Sequence, residues 1–123
     1  MAQKRVLLIG IDPALVNFSR PQERNADTVR AAGNAAQEQL SVLGYEVHNC
    51  LVDLGETAEA VVLQALTQHQ FACVMIGAGI RALPQHTLLF ERIINVIHEH
   101  APGAKLCFNT NPADTADAVL RWI

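Results

Sequence analysis

The residues of this chain that could do chemistry gather behind its apolar runs. Behind RVLLIGI (5–11) stand Asp12, Asn17, Ser19 and Arg20, and behind YEVHNCLV (45–52) stands Asp53. Behind ACVMI (72–76) come Gly77, Gly79, Arg81, His86 and Thr87. Behind AKLCF (104–108) come Asn109, Thr110, Asn111, Asp114 and Thr115. Asp12 could serve as a base, a metal ligand or a ribose acceptor. It could equally end a strand, because a residue before proline is pushed out of helical geometry. The Gly77-Ala78-Gly79 turn can bring backbone N–H groups against a phosphate or carboxylate, or simply let the chain turn. Arg81 carries the guanidinium fork that grips an anion in bidentate fashion, although a rim arginine can also stand in solvent. His86 shares that loop and is the histidine nominated as a general acid or base. Asn109 and Asn111 face one side if the chain is extended there, where their amides would orient a ligand or brace neighbouring loops. Asp114 and Thr115 read as a helix cap.

The expected ligand contacts are therefore Gly10, Asp12, Asn17, Gly77, Gly79, Arg81, Asn109 and Asn111, with Asp12 and His86 as catalytic groups if a reaction occurs. Several stronger signatures are missing. Gly10-Ile11-Asp12-Pro13-Ala14-Leu15 is not the glycine fingerprint of dinucleotide binding, and no P-loop pattern exists. No GxSxG elbow and no Ser-His-Asp or Cys-His spacing stands out. His98 and His100 flank Glu99, but residues two apart on a helix diverge, so no metal site is assigned. No cofactor is named by any motif. Cys50, Cys73 and Cys107 lie in apolar, strand-like runs with no CxxC pair, and read as small buried hydrophobes in a reducing compartment.

These residues need elements to position them. Unbroken apolarity in RVLLIGI and ACVMI is the mark of a parallel strand buried on both faces. A first helix begins at Asn25 or Asp27, with Ala26, Val29, Gly33, Ala36, Leu40 and Leu43 on one face, and Gly44 ends it. A second carries Ala58, Val61, Val62, Ala65 and Leu66. The third, from about Thr87, has an apolar set broader than one sheet face needs: Leu88, Leu89, Phe90, Ile93, Ile94, Val96 and Ile97. That breadth would suit a second subunit. A short fourth helix starts at Asp114 or Thr115. Strands alternating with helices mean right-handed crossovers and a parallel sheet. The expected fold is thus α/β, a three-layer doubly wound sheet of four parallel strands with four helices. The expected order is 2-1-3-4, with 3-2-1-4 as the alternative. In either order ligands bind outside the carboxyl ends of the strands, where crossovers change side.

Composition bounds the rest. A length of 123 residues suits one domain. Charged residues make up only 17% and the net charge is −3, with no basic stripe, so nucleic-acid binding is not expected. The apolar run near the N-terminus is too short for a signal peptide or membrane span, so the chain is expected to be cytoplasmic.

Three resemblances bear on these residues. Four βα units with Asp12 behind the first strand resemble receiver domains of two-component signalling. Those domains need a second acid there, an aspartate behind the third strand and a later lysine, none of which is present. CVMIGAGIRALPQHT and HAPGAKLCFNTNPADT resemble the middle of lactate and malate dehydrogenases, through Gly77, Arg81, Pro84, Ala101, Pro102, Thr110, Asn111, Pro112 and Asp114. That resemblance implies that Asn111 and Arg81 contact the ligand. The chain as a whole resembles a small bacterial family of flavodoxin-like or Rossmann-like single domains, which implies a fold and no established activity. The expected function is binding of a small anionic or polar ligand (nucleotide, phosphate or carboxylate) at the carboxyl rim. The alternatives are a non-catalytic module dimerising through the third helix, and a small hydrolase or isomerase.

Overall fold

A computed structural model describes residues 4–15 and 26–123. Strands β1 (Arg5–Ile11), β2 (Glu46–Val52), β3 (Cys73–Ile76) and β4 (Lys105–Phe108) form one sheet in the order β2-β1-β3-β4. All pairings are parallel, and Val6 of β1 is in register with both Val47 and Cys73. This is the order 2-1-3-4; the 3-2-1-4 alternative fails because β3 pairs with β1. The helices are α1 (Ala26–Val42), α2 (Ala58–Gln68), the single turn α3 (Ala78–Arg81), α4 (Thr87–His100) and α5 (Thr115–Leu120). The turn α3 was expected as loop; it is closed by Ala82 N–H donating to the Ala78 carbonyl at 2.8 Å.

Strand alternation divides the core into two layers. Leu7, Ile9 and Ile11 of β1, with Val74 and Ile76 of β3, pack against Val62 and Leu66 of α2 and Leu89, Ile93 and Ile97 of α4. Val6, Leu8, Cys73, Met75 and Cys107 face the other way, onto Leu40 of α1 and Ala116, Ala118 and Val119 of α5. β1 and β3 are covered on both sides, which is why their sequences run apolar without alternation.

The broad stripe of α4 has an intramolecular account. Leu89, Ile93 and Ile97 are buried, and Phe90, Ile94 and Val96 pack partly buried against the same layer. Phe90 meets Phe108 edge-on with ring centroids 6.1 Å apart. Leu88 is the member that stands more than half exposed. A helix lying on both a sheet and a neighbouring helix needs a wider apolar arc than one lying on a sheet alone.

The three cysteines are free and buried. Burial pushes the Cys50 thiol up to about 11. Cys73 and Cys107 lie with their sulfurs 3.4 Å apart between β3 and β4, and the hydrogen bond with the Cys107 sulfur, followed by burial, holds the Cys73 thiol far above its ordinary value. Thiols so placed are poor nucleophiles. The folded protein should leave Ellman's reagent unreacted at pH 8 and release three thiols on unfolding; fast colour from the native protein would contradict this packing.

At the end of β3, Gly77 N–H donates to the Ile9 carbonyl at 2.8 Å. A Cβ on Gly77 would meet that same oxygen at 3.2 Å. Its φ of −67° is ordinary, so the glycine is favoured by the close approach of two backbones and not by an unusual torsion. Because the contacted oxygen is backbone of β1, a strand paired on both sides, Gly77→Ala should lower stability by about 1–3 kcal/mol in chemical denaturation.

Candidate functional site

The chain leaves β1 toward α1, which covers one face of the sheet, and leaves β3 toward α3 and α4 on the other. Two adjacent strands whose exits diverge leave a crevice between their carboxyl ends. A cavity of about 370 Å³ opens there, on the side covered by α1 and α5. Its floor is the end of the sheet, from Leu8 to Ile11 with Met75, Asn49 and Leu51. Arg30, Gly33 and Asn34 of α1 form one wall. Gly77, Ala78, Gly79, Asn109, Pro112 and Thr115 bring the loops behind β3 and β4 to the other.

Among the described residues, few side chains fill the end of this layer. Gly10 occupies the β1 position that continues the Val6–Leu8 row beneath α1. Among the described residues, a Cβ at Gly10, Gly33 or Gly79 would meet nothing within 4 Å. Positive φ among the described glycines is confined to Gly44 and Gly55, so these three are not needed for torsion either. On α1, Arg30, Gly33 and Asn34 have the i, i+3, i+4 spacing of one helix face. Ala36 and Leu40 pack the C-terminal half of α1 on the sheet, while its N-terminal half borders open space.

The structure brings together Gly10, Gly77, Gly79 and Asn109 of the expected residues. Asp12 stands at the edge. Its Oδ1 accepts from Ala14 N–H at 3.0 Å and lies 3.8 Å from the Arg30 guanidinium. Asn17, Ser19 and Arg20 lie outside the described residues.

Arg81 does not line the cavity. Its Nε donates to the Ile76 carbonyl at 3.4 Å, and its guanidinium sits 5.2 Å from the Phe108 ring centroid, on the α4 side of the sheet. Two residues on from Gly79, it points off another side of the α3 turn. His86 Nδ1 donates to the Gly79 carbonyl at 2.9 Å, and His86 also lies outside the lining. Asn111 is the cap of the turn Pro112–Asp114: its Oδ1 accepts from Ala113 N–H at 2.8 Å. It does not share the cavity with Asn109.

Asn109 itself is 5% exposed and works as a brace. Its Oδ1 accepts from Ala78 N–H at 2.8 Å, and its Nδ2 donates to Thr115 Oγ1 at 2.9 Å. Thr115 Oγ1 in turn donates to the Pro112 carbonyl. One buried amide thus locks the loop behind β3 to the start of α5.

Sequence reading missed Arg30, Asn34 and Asn49. Arg30 is the cation that reaches the cavity, with Asp12 and, at 3.6 Å, Asp27 near it. Asn49 Nδ2 donates to Gln37 Oε1 of α1 at 2.6 Å. The available signal is the polar series Arg30, Asn34 and Gln37 at helical spacing, obscured because Gly33 falls on the same helix face as Ala36 and Leu40 in the sequence pattern.

Two carboxylates shape the rim loops. Asp114 accepts from the Thr110 hydroxyl and from the N–H groups of Thr110 and Asn111, and these bonds, the hydroxyl first, hold it below the usual carboxylate range. Asp53 accepts from the Thr57 hydroxyl and from Gly55 and Thr57 N–H, with the same effect.

Fold and cavity together define a small α/β domain with an open crevice where its crossovers change side. No family model matches the chain, and no curated protein is detectably similar to it in sequence. Among the described residues, no helix is long and apolar enough to cross a membrane, and no cluster of three or more His, Cys, Asp or Glu is arranged to hold a metal ion.

A carboxylate whose pKa is depressed by folding stabilises the fold above its ordinary value, and that stabilisation fades as pH falls through its folded value. For Asp53 and Asp114 the loss should therefore begin near 3.8 and deepen below it. Asp114→Asn should be less stable than wild type at pH 7 and show a shallower decline on acidification. Parallel pH profiles for the two proteins would show that Asp114 contributes nothing to this dependence.

Proposed function

We propose that the chain is a small-molecule-binding α/β domain whose polar ligand, carrying at most one anionic group, occupies the cavity behind β1 and β3. The observation that supports this is the open space kept by Gly10, Gly33 and Gly79 at the divergence of the strand exits. Glycine inside a strand or helix weakens it by roughly 0.5–1 kcal/mol relative to alanine. Two such positions facing one cavity, with no steric or torsional need for glycine among the described residues, fit a space kept for an occupant. Arg30 would take an anionic group; Ala78 N–H and the Asn109 amide are already engaged with each other. Arg30 is the ionisable side chain among the described lining residues, with no acid or base beside it in the lining. That favours binding over turnover.

A thermal-shift screen of nucleotides, nucleosides, sugar phosphates and carboxylic acids tests this, since selective binding at a hundred times Kd stabilises by about 2.7 kcal/mol. Arg30→Ala should diminish the shift given by a charged ligand, whereas Arg81→Ala should retain it. Gly10→Val should fold with equal or greater stability and lose the shift. Wild-type binding by Gly10→Val would place the ligand elsewhere.

A further inference from the structure

We infer that the ligand is a flat nitrogen heterocycle, neutral or singly charged, of the nucleobase or nucleoside class; this rests on the binding reading above. The cavity has glycine in its sheet floor, Gly10, and in its α1 wall, Gly33, and among the described residues nothing lies within 4 Å of a Cβ built at either. Bare backbone at these two positions, beside the apolar Leu8 and Met75 of the floor, leaves room that a planar ring would use. The cavity volume of about 370 Å³ stands at the small end of the roughly 300–1,000 Å³ usual for ligand pockets.

The polar groups beside this space are amides. Asn34 makes no side-chain hydrogen bond among the described residues. Asn49 gives one N–H to Gln37 and keeps its carbonyl oxygen and second N–H. An amide presents a donor and an acceptor side by side, the pattern that pairs with the edge of a nucleobase. A phosphate or carboxylate only accepts, and would leave the amide oxygens unmatched. Charge points the same way. Arg30 has Asp12 at 3.8 Å and Asp27 at 3.6 Å, so this group of three is net negative. A polyphosphate placed there would meet one cation and two anions.

Titration calorimetry with adenine, guanine, adenosine, guanosine, ATP and GTP, beside citrate and glucose 6-phosphate, decides the matter. At least one base or nucleoside should bind tenfold or more tightly than its triphosphate. Asn34→Ala and Asn49→Ala, both at exposed positions, should each weaken that binding about tenfold without lowering the unliganded melting temperature. Tighter binding of the triphosphate overturns the inference. So does binding of citrate or the sugar phosphate with the bases and nucleosides inert, although the cavity then stands as an anion site. Unchanged affinity in both asparagine variants overturns amide recognition even if a nucleoside binds. Failure of every probe overturns the inference and the binding reading together.

Discussion

The rim depends on one close contact, the hydrogen bond from Gly77 N–H to the Ile9 carbonyl. It carries the β1–β3 pairing one residue beyond the strand, and a methyl group there would fit only if the neighbouring backbone gave by a few tenths of an ångström. The next N–H, that of Ala78, is taken by Asn109 from behind β4, and Asn109 passes the connection to Thr115 in α5. Successive donors of a single turn therefore tie together two strands, a loop and a helix. Backbone donors withdrawn from water must find acceptors, and here the acceptors come from the segments that have to be positioned.

With the rim held in this way, the sheet is packed unequally. The layer under α2 and α4 is closed by long side chains, from Leu7 and Ile9 to Leu89, Ile93 and Ile97. The layer under α1 and α5 uses smaller groups, Ala116, Ala118 and the two adjacent thiols, and runs out altogether at Gly10. The cavity is the unfilled end of that thinner layer. Its chemistry follows from what borders it: apolar strand residues below, and polar α1 residues that would be solvated surface on a helix lying flat.

The architecture was readable because it rests on patterns repeated over many residues. Unbroken apolarity marked strands buried on both faces, and the helical connections implied a parallel sheet, while the order 2-1-3-4 rested on analogy with doubly wound sheets. Gly10, Gly77, Gly79 and Asn109 were found at the cavity because strand ends are well located by such patterns. Arg81 and Asn111 were not, because reaching the cavity depends on which side of a short turn a residue leaves. One step in a turn of four residues exchanges the α1 side of the sheet for the α4 side, and no periodicity longer than the turn itself reports it. Arg30 was hidden differently. It is distant in sequence from every strand end, and α1 brings it back over β1 only through the crossover.

The thin layer also has a dynamic meaning. Among the described side chains of α1, only Ala36 and Leu40 are buried, although the helix is 17 residues long. Segments with few buried contacts open before the rest of a protein unfolds. The two described buried side chains both lie in the C-terminal half of α1, away from the N-terminal turns that carry Arg30. An occupant touching both Arg30 and the floor would fasten those turns to the sheet. Part of its binding free energy would then go into ordering a helix, and its residence time would be coupled to how often that helix lifts.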